Sequence, residues 1–183
     1  SVPLAVLKTL QQKGWIVCLD AAPERARDTL NASQALHSLT EPQEKAVKAV
    51  QTAFESFSAF LLEGVTGSGK TEVYLQLIEP LLQDHRQVLV LVPEIGLTPQ
   101  LIDRFRQRFT VDVAVLHSGL SDSQRLRAWQ QAADGTARLI LGTRSAIFTP
   151  LKNPGLIIVD EEHDSSFKQQ EGLRYSARDL AVW

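Results

Sequence analysis

Eight consecutive residues constrain this chain more than any others: Gly64-Val65-Thr66-Gly67-Ser68-Gly69-Lys70-Thr71 satisfies G-x-x-x-x-G-K-[S/T] at every fixed position. The pattern works where a buried strand runs into a helix. There the glycines let the backbone wrap closely, and its N–H groups converge at the positive end of the helix dipole. The flanks predict that context. Ala59 to Leu62 reads as a short buried strand, and a helix is expected from about Thr71 toward Gln83, with Pro80 kinking or ending its last turn. Such a loop cradles a polyphosphate. Lys70 would reach the β and γ phosphates, and the Thr71 hydroxyl would coordinate Mg²⁺.

The rest of the chain repeats the strand–helix alternation. Thr40 and Gln43 have the spacing of a capping box, and Ala46, Val47, Val50, Phe54 and Phe57 mark one face of the helix that follows. Val88 to Val92, Val111 to Leu116, Arg138 to Leu141 and Leu156 to Val159 are short apolar runs rich in Val, Ile and Leu. Thr98-Pro99 opens a helix expected to run through Phe109; Ser121 with Gln124 opens another, closed by Asp134-Gly135. Strands buried on both faces and separated by helices predict an α/β fold: a parallel sheet with helices on both faces.

Composition narrows the class. With 44% hydrophobic and 22% charged residues in 183, a packed core is expected and disorder is not. A net charge of -2 excludes polybasic binding while leaving room for a local cationic groove. Cys18 is the lone cysteine, which excludes an internal disulfide and a cysteine-built zinc site and suits a reducing compartment. No apolar run is long enough to span a bilayer. The chain has no methionine and begins at Ser1, so it reads as a piece of a longer protein. Leu4 to Lys13 has helical spacing, and the polar, Ala-rich stretch 20–38 reads as a linker or peripheral helix preceding the main domain at 39–183.

A second constellation stands some 90 residues after the glycine loop: Leu156-Ile157-Ile158-Val159 delivers Asp160-Glu161-Glu162-His163 at a strand's carboxyl end, where open parallel sheets bind ligands. Nucleotide hydrolysis needs two acids there. Asp160 would hold Mg²⁺ through its water shell, and Glu161 would orient and deprotonate the attacking water.

With these two motifs in hand, the chain resembles the first RecA-like motor domain of superfamily 2 helicases, Asp160 to His163 standing as a variant of the DEAH box. Val92 to Gln100, Leu116 to Ser121, Gly142 to Phe148, Asp160 to Gln170 and Arg174 to Asp179 narrow the resemblance to the bacterial primosomal replication-restart helicases, over roughly 39–183. The resemblance implies a RecA-like P-loop NTPase domain within a DNA-dependent ATPase that unwinds forked DNA 3′ to 5′ in a bacterial cytoplasm. Primosome proteins and single-strand DNA-binding protein would be its partners, and no membrane is involved. It implies that Gln43 reads adenine, a role competing with the capping box, and that His163 relays nucleotide state. Candidate DNA contacts are the hydroxyls of Thr98, Ser118 and Thr143, with Arg144, and the loop residues Phe167, Lys168, Arg174 and Tyr175, whose aromatics would stack on bases or pack locally. The family commonly has Tyr where this chain has Phe167.

By the same resemblance, Leu4 to Leu19 is the tail of a winged-helix domain (1–19). A Ser-Ala-Thr motif, whose strand lies between the phosphate-loop strand and the acidic strand, would be missing, leaving a gap in the sheet. Missing too would be the second RecA-like domain with its arginine finger and the zinc module, so zinc is expected only outside this segment. The isolated piece is expected not to unwind DNA and to hydrolyse ATP poorly at best. Two other readings stay open. One is a kinase-like phosphoryl-transfer enzyme, disfavoured by Glu161 beside Asp160; the other is a non-catalytic DNA- or partner-docking segment.

Overall fold

The computed structural model describes Thr9 and residues 38–183. All but Thr9 of the expected winged-helix tail and all but residue 38 of the expected linker lie outside the described residues.

Helix α1 (Glu41–Gln51) starts at Thr40, whose N–H donates to Gln43 Oε1 at 2.8 Å. It is shorter than the apolar spacing predicted, ending before Phe54 and Phe57. Helix α2 (Lys70–Gln83) begins one residue earlier than expected and carries Pro80 inside its last turn. Strand β1 (Gln87–Leu91) is buried throughout. Helix α3 (Pro99–Arg108) is capped by Thr98, whose Oγ1 accepts from the Leu101 N–H at 3.2 Å. After β2 (Val113–Leu116), helix α4 (Asp122–Ala133) opens on the Ser121/Gln124 capping box; Gly135 then turns the chain at φ +83°. Strands β3 (Leu139–Gly142) and β4 (Pro154–Val159) follow, then a two-residue hairpin, β5 (Lys168–Gln169) with β6 (Tyr175–Ser176), and a short helix α5 (Ala177–Val182).

The four long strands form a parallel sheet in the order β2-β3-β1-β4. Because side chains alternate across a strand, β1 feeds two cores. Val88, Val90 and Val92 pack with Ile78 and Leu82 of α2 and Phe105 of α3. Leu89 and Leu91 point the other way, toward Ala128 and Ala132 of α4, Phe167 and Ala177. Helices on both faces are thus observed, as predicted. Each fully buried Val, Leu or Ile here contributes about 1.5–3 kcal/mol. Buried Gln87, at the entry to β1, satisfies its amide completely: Nε2 donates to the carbonyls of Ala132 and Ala137, both at 2.8 Å, and Oε1 accepts from Lys152 N and Asn153 N. Glu79 and Arg108, 2.7 Å apart, tie α2 to α3.

One predicted strand does not form. Ala59 to Leu62 has no ladder partner among the described residues, and Phe60 and Leu61 are 52% and 69% exposed. Between this segment and β4 runs a groove of about 1390 Å³, lined by Leu62, Leu77, Leu156 and Ile158 among others. A run of apolar residues becomes a strand only when a neighbour accepts and donates its backbone hydrogen bonds. Among the described residues no strand pairs with this segment, and it stays irregular.

Candidate nucleotide-binding site

The glycine loop is built by backbone conformation. Gly67 and Gly69 take φ of +79° and +82°, the left-handed region that side chains resist, and Gly69 is the residue from which α2 departs. A Cβ on Gly69 would sit 2.5 Å from Gln43 Nε2, whereas one on Gly67 would meet nothing. The loop therefore has protein behind it and open space in front. Val65 is 79% exposed, and Thr66 and Ser68 are exposed with it. Lys70 and Thr71 open α2, both half-buried; Lys70 Nζ donates to the Gly64 carbonyl at 2.9 Å.

The acidic motif arrives at the same place from the other side of the chain. Asp160 follows β4, its N–H bonded to Leu91 O at 2.9 Å. Glu161 Oε1 lies 3.7 Å from Lys70 Nζ, so the two loops converge on one end of the sheet. Glu161 takes φ +49°, rare for a residue with a side chain and costing about 1–2 kcal/mol, and Asp164 N–H closes the turn onto its carbonyl at 2.8 Å. His163 is exposed, with Nε2 3.7 Å from Glu161 Oε2.

Tyr74, which sequence reasoning did not single out, completes the cluster. Its hydroxyl donates to Asp160 Oδ1 at 3.1 Å, and burial, followed by the Asp160 carboxylate, pushes its phenol far above the ordinary value. The available signal was its spacing of four from Lys70, which puts both on one face of α2. Gln43 is engaged on both ends of its amide: Oε1 accepts from Thr40 N–H, and Nε2 donates to Ser68 O in the glycine loop at 2.9 Å.

The candidate DNA contacts divide by environment. Thr98 caps α3, Ser118 Oγ donates to Glu94 Oε1, and Thr143 is buried at 7% exposure. Arg144 spends Nη1 on the carbonyls of Ser166 and Lys168, both at 3.0 Å, clamping the turn after β3 to the loop after the acidic motif. Phe167 corrects the stacking expectation. At 1% exposure it is a core residue packed with Ala177 and Tyr175, because the turn at Ser165–Phe167 aims it inward. Tyr175 is half-buried edge-on against Phe148, with ring centroids 4.8 Å apart. Lys168 and Arg174 remain exposed and line an open hollow of about 520 Å³ on the hairpin.

With this geometry established, residues 36–180 match the family described as "Type III restriction enzyme, res subunit" (ResIII). The chain belongs to that family. Among similar proteins, the replication restart protein PriA of Haemophilus influenzae is 49% identical over 97% of this chain and 25% of its own length. The PriA proteins of Synechocystis sp. and Bacillus subtilis are 51% and 45% identical, again over 97% of the chain, and over 21% and 23% of their own lengths. The chain thus spans about a quarter of the length of the curated relatives it matches. The ResIII fold here is also similar to RecG in a structure of RecG bound to a three-way DNA junction, with a TM-score of 0.58 and 26% identity over 76% of this chain and 20% of RecG. This agrees with the RecA-like expectation. No described helix is long and apolar enough to cross a membrane.

Proposed function

We propose that this chain is the nucleotide-binding half of a DNA-dependent motor: it binds Mg²⁺-ATP, and within the full-length protein it drives 3′ to 5′ unwinding of forked DNA during replication restart. The observation that carries the reading is the approach of Lys70 and Glu161 to 3.7 Å from loops that lie far apart in the chain. The residues fit the ligand: a loop with left-handed glycines, open in front, an ammonium at the start of a helix, and a carboxylate at the adjacent strand end.

In this reading the N–H groups of Gly64 to Thr71 and the Lys70 ammonium bind the phosphates. Thr71 and Asp160 would hold Mg²⁺, which would supply charge neutralisation for the phosphates. Glu161 takes a proton from water. Gln43 holds the loop through Ser68 while retaining an N–H for adenine, so capping and base reading are compatible. His163, beside Glu161, relays nucleotide state. DNA runs over the carboxyl edge of the sheet, contacted by Lys168, Arg174 and the Thr98, Ser118 and Thr143 loops. Arg144 orders that edge through its two carbonyls, and Tyr175 adds an aromatic face. Primosome proteins and single-strand DNA-binding protein complete the setting, in a bacterial cytoplasm.

The test is ATP hydrolysis by the full-length protein with and without forked DNA, in wild type and Lys70→Ala. DNA-stimulated phosphate release that falls at least about 100-fold in the variant is expected. Stimulation by a metabolite instead of DNA would move the assignment to a kinase, and DNA binding without hydrolysis would reduce the segment to a docking surface. Robust unwinding by the isolated 183-residue chain would overturn the expectation that other domains are required.

A further inference from the structure

Asp160 does not hold its carboxylate alone. Its Oδ1 accepts from the Tyr74 hydroxyl and from the Glu161 N–H, each at 3.1 Å. Two donors on one oxygen fix the plane of the group and leave Oδ2 as the oxygen without a partner among the described residues. One donor comes from the turn after β4; the other comes from α2, one helical turn beyond Lys70. The helix that presents the phosphate-facing ammonium therefore also carries the hydroxyl that orients the acid. The Tyr74 side chain is half-buried at the mouth of the groove, and its ring packs on the core shared by α2 and β1.

We infer that Tyr74 is a positioning residue: its hydroxyl sets which oxygen of Asp160 is offered to Mg²⁺. This rests on the nucleotide reading above and deepens it. Carboxylates that ligate metals are themselves held by hydrogen bonds, and removing such a partner typically costs 10–100-fold in metal affinity. Tyr74 is one of two donors, so the lower end of that range is expected. The hydroxyl contributes no charge and donates to Asp160, so its loss should leave metal-free nucleotide binding intact.

The test is a titration of the full-length protein with a fluorescent non-hydrolysable ATP analogue, first in EDTA and then at fixed analogue with increasing Mg²⁺. Tyr74→Phe keeps the ring and its packing. The expected result is EDTA affinity within twofold of wild type and a Mg²⁺ half-saturation raised about tenfold. If the wild type responds to Mg²⁺ and Tyr74→Phe responds at the same concentration, the role of Tyr74 is overturned while the nucleotide site stands. If Tyr74→Phe weakens EDTA binding as much as it shifts the Mg²⁺ response, or lowers the melting temperature by several degrees, the residue is structural and the inference fails. If the wild type binds no analogue, or binds it without regard to Mg²⁺, the nucleotide reading fails and takes this one with it.

Discussion

The two flanks of the sheet are built from similar residues and end differently. On the side of β2 and β3, every residue of β1 and β3 is buried and each strand of that half is paired in parallel register. On the side of β4 the burial thins, with one buried residue in six, and the apolar run at Ala59 to Leu62 lies across a groove from it without pairing. Hydrophobicity alone does not make a strand. Phe60 and Leu61 are no less apolar than Leu139 and Ile140; what separates them is a neighbour on the ladder.

That contrast predicts unequal sensitivity to substitution. Leu141→Ala, at a position with 0% exposure in the paired half, should cost about 2–5 kcal/mol in denaturant unfolding. Gln87→Ala, which strips two hydrogen bonds to the residues leading into β3 and two to those leading into β4, should cost about 1–3 kcal/mol by the same measurement. Thr98→Ala should remove about 1 kcal/mol by uncapping α3, and Thr98→Ser should restore most of it. Leu61→Ala, beside the groove, should change stability by less than about 0.5 kcal/mol; a loss comparable to that of Leu141→Ala would erase the distinction between the flanks.

The smallest effect is a pH dependence. Asp164 is held below the ordinary carboxyl value by the Ser166 N–H and the Ser166 hydroxyl. A carboxyl depressed in the folded state stabilises it above the unfolded value, and that contribution is lost as pH falls through the folded one. The difference in melting temperature between wild type and Asp164→Ala should therefore shrink as the solution is acidified from pH 6 toward pH 2, about two units below the ordinary carboxyl value. A difference that grows in acid would mean Asp164 acts in some other way.

Local chemistry was readable where it is local. Thr98, Ser121 with Gln124, and Asp134-Gly135 bound their helices as their side chains and backbone require, and β1, β3 and β4 fall within a residue or two of their apolar runs. The glycine loop and the acidic motif were both legible, and so was their meeting at one sheet end. What could not be read was whatever depends on a distant partner. Ala59 to Leu62 needed a strand beside it. Phe167 sits in a polar stretch, and only the turn at Ser165–Phe167 sends it inward. Arg144 has the composition of a phosphate contact, yet its guanidinium is engaged by two carbonyls about twenty residues later. The Tyr74 bond to Asp160 spans 86 positions; a spacing of four from Lys70 puts Tyr74 on the right face of α2 without announcing that distant partner.

The left-handed backbone of Glu161 has a practical corollary for mutagenesis. Neutralising this acid with a β-branched or bulky replacement would confound two losses, the charge and the bend that turns the chain back through Asp164. Asparagine and glycine tolerate that conformation better than other residues, so Glu161→Asn isolates the carboxylate's contribution more cleanly than Glu161→Val or Glu161→Ile.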